Sequence, residues 1–107
     1  MKARIRLTVE KIKGHCPLYK IGDIIIIEEF YINVKASPNI CIHALAAMST
    51  LLSAFLNGSS AIELGIGSQE NIGFVQCPDP SQPYTQGGTV LFKLEREEIG
   101  KYAATTN

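Results

Sequence analysis

SPNICIHALAAMSTLLSAFLNG, residues 37–58, is the stretch on which the fold turns. Ser37-Pro38-Asn39 is a helix-start signal, with a capping side chain in Ser37 or Asn39 and a proline that a first turn tolerates. From Ile40 to Leu56 the residues favour helix, and Asn57-Gly58 supplies the stop. Leu45, Met48, Leu51, Leu52, Phe55 and Leu56 make a wide apolar face. His43, Ala46, Thr50, Ser53 and Asn57 recur at spacings of three and four as a stripe of small, weakly polar residues. No charged residue occurs from Ala36 to Ile62. As a membrane span, Ile40–Leu56 is slightly short and carries His43, Ser49, Thr50 and Ser53, so a helix buried against a core is the better reading.

Strands flank this helix on both sides. Ala3, Ile5, Leu7 and Val9 alternate with Lys2, Arg4, Arg6, Thr8 and Glu10, the period of a strand with one wet face. Gly14-His15-Cys16-Pro17 ends it, because proline removes a ladder donor. Lys20-Ile21-Gly22-Asp23 reads as a tight turn into Ile24-Ile25-Ile26-Ile27, four β-branched residues that disfavour helix. After the helix, Gly58 to Gly73 is loop, Phe74–Cys77 a short strand, and Ser81 to Gly88 a second loop. Thr89 to Arg96 alternates again, with Val90, Phe92 and Leu94 inward and Leu91, Lys93 and Glu95 outward.

The expected fold is therefore α+β: a four-stranded, mainly antiparallel sheet in ββαββ order, packed on one face by the single apolar helix in two layers. Residues 3–96 form one domain, and 97–107 a tail with a helical turn around Glu98 to Tyr102. One helix covers only part of such a sheet, so the remaining apolar surface predicts a homo-oligomer.

Composition excludes several classes of function. With 107 residues, 46% hydrophobic and 19% charged, the chain is one ordinary domain and not a disordered segment. Ten basic and ten acidic residues leave no net charge, which argues against a general nucleic-acid or anionic-membrane binder. The mild basic excess lies before Ala36, on Lys2, Arg4, Arg6 and Lys11, without the aromatic interleaving that stacks bases. The N-terminus has no continuous apolar run of a signal peptide. Three cysteines cannot all pair with one another, which argues for a reducing compartment and a cytoplasmic protein. Gly65-Ile66-Gly67-Ser68 lacks the Gly-Lys-Ser/Thr ending of a phosphate loop.

The chemistry-bearing residues are Cys16, Cys41 and Cys77, with His15 and His43 each within two residues of a cysteine. Three Cys and one His would suit tetrahedral zinc, and iron is the other metal such donors take. The spacings of 25 and 36 residues contain no Cys-x-x-Cys knuckle, however, and three thiols packed as small hydrophobes with no cofactor are equally compatible. Cys41 is the best single nucleophile, because a thiol at a helix start sees the positive end of the macrodipole. His43 would point roughly 200° around the helix from it. Asp79, in Cys77-Pro78-Asp79-Pro80, is a second catalytic candidate, held rigidly between prolines that more commonly only shape a turn.

Gly14-His15-Cys16, Gly22-Asp23, the helix-start Cys41 and Cys77-Pro78-Asp79-Pro80, in that order, resemble an uncharacterised family of small bacterial and archaeal proteins. The likeness covers most of residues 3–96. Ile42 stands where that family usually has proline, and the segment Gly58–Gly73 lacks its acidic, Trp-containing stretch. The resemblance implies that Cys16, Cys41 and Cys77 are positions the family tends to keep, and it implies no activity. Together these readings predict a binding or accessory module, with Cys16, Cys41, Cys77, His15 and His43 as its candidate metal site and any small-molecule ligand unknown. A thiol-based redox protein or enzyme using Cys41, and an interaction subunit docking through the helix stripe, are the alternatives.

Overall fold

The computed structural model describes residues 3–98. Five strands and one helix follow in the order β1 (Ala3–Gly14), β2 (Ile24–Glu28), β3 (Tyr31–Ile32), α1 (Ile42–Leu56), β4 (Ile72–Gln76) and β5 (Gly88–Glu98). All strand pairings are antiparallel, and the sheet order is β3-β2-β1-β5-β4. The long strands β1 and β5 form the centre. The architecture is α+β, as expected, but with five strands in place of four, in ββ-β-α-ββ order.

The added strand, β3, is two residues long and sits at the sheet edge. It pairs Ile27 with Ile32 and Glu28 with Tyr31 after a turn through Glu29, whose φ is 55°. Two residues are too few to show a hydrophobic period. The last strand also runs further than expected: Glu97 pairs with Arg4 and Glu98 with Ala3. Glu98 is thus extended and not the start of a helical turn, and the rest of that expected turn lies outside the described residues.

The alternation read from the sequence is realised. Ala3, Ile5, Leu7 and Val9 of β1 and Val90, Phe92 and Leu94 of β5 are buried on one face. Ile25 and Ile27 extend that face on β2, and Ala44, Met48, Leu52 and Phe55 of α1 close over it. On the opposite face, Arg4 reaches across three strands to Glu28 at 2.7 Å and Glu97 at 3.2 Å. Arg4 holds the Glu28 carboxyl below its usual range, with a second hydrogen bond from Asn33 adding to the effect.

The helix begins two residues later than its sequence suggests. Cys41 is the N-cap, and its side chain makes no capping hydrogen bond. Ser37 is engaged elsewhere, its Oγ accepting the Ile26 N–H at 3.0 Å. At the other end the stop is as expected: Asn57 is the C-cap and Gly58 adopts φ 106°, a conformation costly for a residue with a Cβ. The Gly58 and Ser59 N–H groups return to the Phe55 and Ala54 carbonyls, a Schellman closure. Arg96 completes this end. Its guanidinium donates to the carbonyls of Phe55 (2.7 Å) and Ser59 (2.5 Å) and lies 4.3 Å from the centre of the Phe55 ring.

The stripe His43, Ala46, Thr50, Ser53 and Asn57 is exposed, as is Ile42. Among the described residues no helix is long and apolar enough to cross a membrane.

Candidate functional site

Three connections meet at one end of the sheet. The first is the segment after β1, the second the entry to α1, and the third the segment between β4 and β5. They enclose a half-open cavity of about 530 Å³. Its lining includes Cys16, Cys41 and Cys77, which lie far apart in the sequence, together with Tyr19, His43 and Asp79. Pro17, Leu18, Ala44, Pro78 and Val90 give it mainly apolar walls. No lysine or arginine is among the lining residues. The volume lies within the range of about 300–1,000 Å³ typical of small-molecule sites.

Close backbone contact fixes these segments. Gly88 stands opposite Gly14 at the end of the β1–β5 ladder. A Cβ on Gly88 would come within 2.8–2.9 Å of the Lys13 carbonyl oxygen and the His15 backbone, so only glycine lets the two chains approach this closely.

The three thiols are held differently. Cys77 is buried, and its Sγ accepts the Val90 N–H at 3.2 Å and donates to the Gly88 carbonyl at 3.5 Å. It is a satisfied core thiol at the floor of the site. Cys16 is half-buried and accepts the Tyr19 N–H at 3.4 Å. Cys41 is also half-buried, but among the described residues its sulfur has no hydrogen-bond partner.

Tyr19 links the last two. The residue is 4% exposed, and its ring meets Phe92 edge-on, with centroids 5.5 Å apart. Its hydroxyl oxygen accepts the Cys41 N–H at 2.8 Å. Burial pushes the phenol pKa up, the Cys41 N–H opposes that shift, and neighbouring Cys41, Cys16 and Asp23 add to it. The hydroxyl therefore remains a proton donor at neutral pH, and among the described residues its hydrogen has no acceptor.

Nothing in the sequence marked Tyr19 as part of a site. Its position between a Cys-Pro break and a Gly-Asp turn leaves no periodicity to read.

The histidines divide. His43 lines the cavity with Cys41. The helical projection that set them apart does not apply, because Cys41, at φ −72° and ψ 123°, is extended and precedes the helix. His15 is exposed and is not among the lining residues. Among the described residues, no three His, Cys, Asp or Glu side chains form a group that could hold a metal ion. The cysteines share a cavity without being gathered into a coordination sphere.

Asp79 organises the segment it begins. Its Oδ1 accepts the Ser81 N–H at 2.8 Å and the Thr85 hydroxyl, and its carbonyl accepts the Thr89 hydroxyl at 2.5 Å. The Thr85 hydroxyl, and then the Ser81 amide, hold its carboxyl below the usual range. Ser81, buried at φ 68°, donates to the Gly87 carbonyl at 3.2 Å. A carboxylate tied down in this way shapes a turn and makes a poor proton donor near neutral pH.

A second groove of about 300 Å³ runs between β3 and α1, past Phe30, Tyr31, Leu45 and Leu52, and contains no cysteine or histidine. No family model matches the chain, and neither a curated protein nor a solved structure matches it.

Proposed function

We propose that the protein is a small binding module whose ligand is an uncharged, mainly apolar small molecule held in the thiol-lined cavity. The observation that carries this reading is the meeting of Cys16, Cys41 and Cys77 on one apolar-walled space. Three chain-distant cysteines packed only as hydrophobes have no reason to surround a shared opening. The absence of lysine and arginine from the lining disfavours phosphates and carboxylates, which need compensating charge. Apolar walls with a few convergent polar groups are the usual composition of a small-molecule site.

Titration of ¹⁵N-labelled protein with 2-phenylethanol, a neutral apolar probe, tests this. Amide shifts are expected in residues 16–19, 41–44 and 77–90. Shifts confined to the groove beside β3, or none at all, would overturn the reading. Stoichiometric zinc or iron in protein purified without chelator would replace it with a metal site, for which the thiols would have to draw together. We also propose that the uncharged helix stripe pairs two copies of the chain. Sedimentation should then give a mass that rises with concentration, and a strict monomer would end that proposal.

A further inference from the structure

We infer that Asn57–Gly58 is a modification site, where water converts the asparagine to aspartate and isoaspartate through a succinimide, and that the latched end of α1 holds the reaction back until that end opens.

Five asparagines occur in the chain, and only Asn57 precedes a glycine. Asparagine amides are thermolabile, and the reaction is least hindered where the next residue has no Cβ beside its nitrogen. Both residues are exposed, so water reaches them. The fold, however, aims the attacking atom away. At ψ 11° the Gly58 nitrogen nearly eclipses Asn57's own nitrogen and is turned from the Asn57 side chain. Its N–H is committed to the Phe55 carbonyl at 3.2 Å, and Nδ2 of Asn57 donates to the Ser53 carbonyl at 2.8 Å. Arg96 latches this arrangement from β5, since its guanidinium binds the same Phe55 carbonyl and that of Ser59. Ring closure therefore needs the helix end to open, and element ends are among the first parts of a fold to do so.

The step balances with water as the co-reactant. The Gly58 nitrogen loses its proton and bonds to Asn57 Cγ, the Cγ–Nδ2 bond breaks, and ammonia leaves. Water then opens the ring at either carbonyl, giving aspartate at one and isoaspartate at the other. Nothing is oxidised or reduced. The product cannot reclose the helix end as before. The Nδ2 donor to Ser53 is gone, and a carboxylate stands at the helix C-terminus, where the macrodipole opposes it. Glu70 and Glu98 line the same hollow as Gly58 and add to that repulsion. The change also puts a charge into the groove beside β3, of which Asn57 is a lining residue.

Peptide mapping of the full chain after incubation in ¹⁸O-water, folded and in guanidinium chloride, tests this. The label should enter at Asn57 and not at Asn33, Asn39 or Asn71, and isoaspartate should be present, which direct hydrolysis of the amide does not give. The folded chain should react more slowly than the unfolded one by about tenfold or more. R96M, confirmed as folded by circular dichroism, should react about tenfold faster than folded wild type, the effect of one charged hydrogen bond at the low end of its range. G88A, altered at the other end of the sheet, should keep the wild-type rate. Equal labelling of the other asparagines, or aspartate without isoaspartate, would overturn the site. Equal rates in the folded and unfolded chain, an unmoved R96M, or a G88A as fast as R96M would overturn the latch.

Discussion

Arg96→Met removes a guanidinium that ties three parts of the fold together. Arg96 lies on the inward face of β5, in register with Ile5, at the end of the sheet where α1 terminates. It donates to the Phe55 and Ser59 carbonyls at 2.7 and 2.5 Å, and to Asn71 Oδ1 at 2.8 Å. Hydrogen bonds involving a charged group contribute about 1.5–3 kcal/mol each. Stacking on the Phe55 ring adds about 0.5–1 kcal/mol. Methionine retains the contact with Phe55 but leaves the two carbonyls without their charged donor. The more exposed Asn71 bond adds little, so the expected loss is about 3–5 kcal/mol, a large share of the roughly 5–15 kcal/mol of a domain this size.

Urea unfolding followed by circular dichroism measures it. With a slope of about 1.5 kcal/mol/M, the midpoint should fall by about 2–3 M at unchanged slope. Arg96→Lys, which offers a point charge and no planar fork, should recover only part of the loss. An Arg96→Met midpoint within experimental error of wild type would refute the idea that this side chain joins the helix end to the sheet.

Gly88→Ala should cost about 1–3 kcal/mol, because the new Cβ meets backbone and not a movable side chain. The same change should speed alkylation of Cys16 by displacing residues 15–19, and an unaltered protein would show that the contact is slack. Thr85→Val should raise the Asp79 pKa toward the ordinary value, read from its carboxyl carbon shift; no movement would contradict the assigned hydrogen bond. Because the folded pKa of Asp79 is depressed, its contribution to stability is in place above the unfolded value of about 3.9 and is lost as pH falls through the folded one. Asp79→Asn should therefore flatten the acid limb of the stability curve, and an unchanged limb would contradict this.

The parts of the fold legible in the sequence were those with a repeating period. Ala3 to Val9 and Val90 to Leu94 alternate because one face of each strand is buried and the other is not. The uncharged run from Ile42 to Leu56 is long enough to declare itself a helix. Elements fixed by a single tertiary contact left no such trace. Ser37 has the residue type of a cap but satisfies a donor on β2, and β3 is held at the sheet edge by two pairings, with Ile27 and Glu28.

The site was legible as a set of thiols and not as an arrangement. Cys41 could be placed at the helix start from the neighbouring proline and asparagine. The role of Tyr19 could not be foreseen, because it depends on residues 22 positions apart meeting across a connection. A helical projection separates His43 from Cys41, but that geometry does not extend to a cap residue in extended conformation. Asp79 was half understood, since its prolines announce a turn but not the hydroxyl partners that fix its charge.

The central claim is that these thiols look onto one common space, and tethering tests it most directly. Benzyl methanethiosulfonate joined to Cys41 by disulfide exchange, with methanesulfinate leaving, would place a benzyl group in that space. Mass spectrometry then follows iodoacetamide labelling of Cys16. The account predicts that Cys16 labelling slows severalfold once Cys41 carries the benzyl group. A Cys16 rate untouched by that group would contradict it.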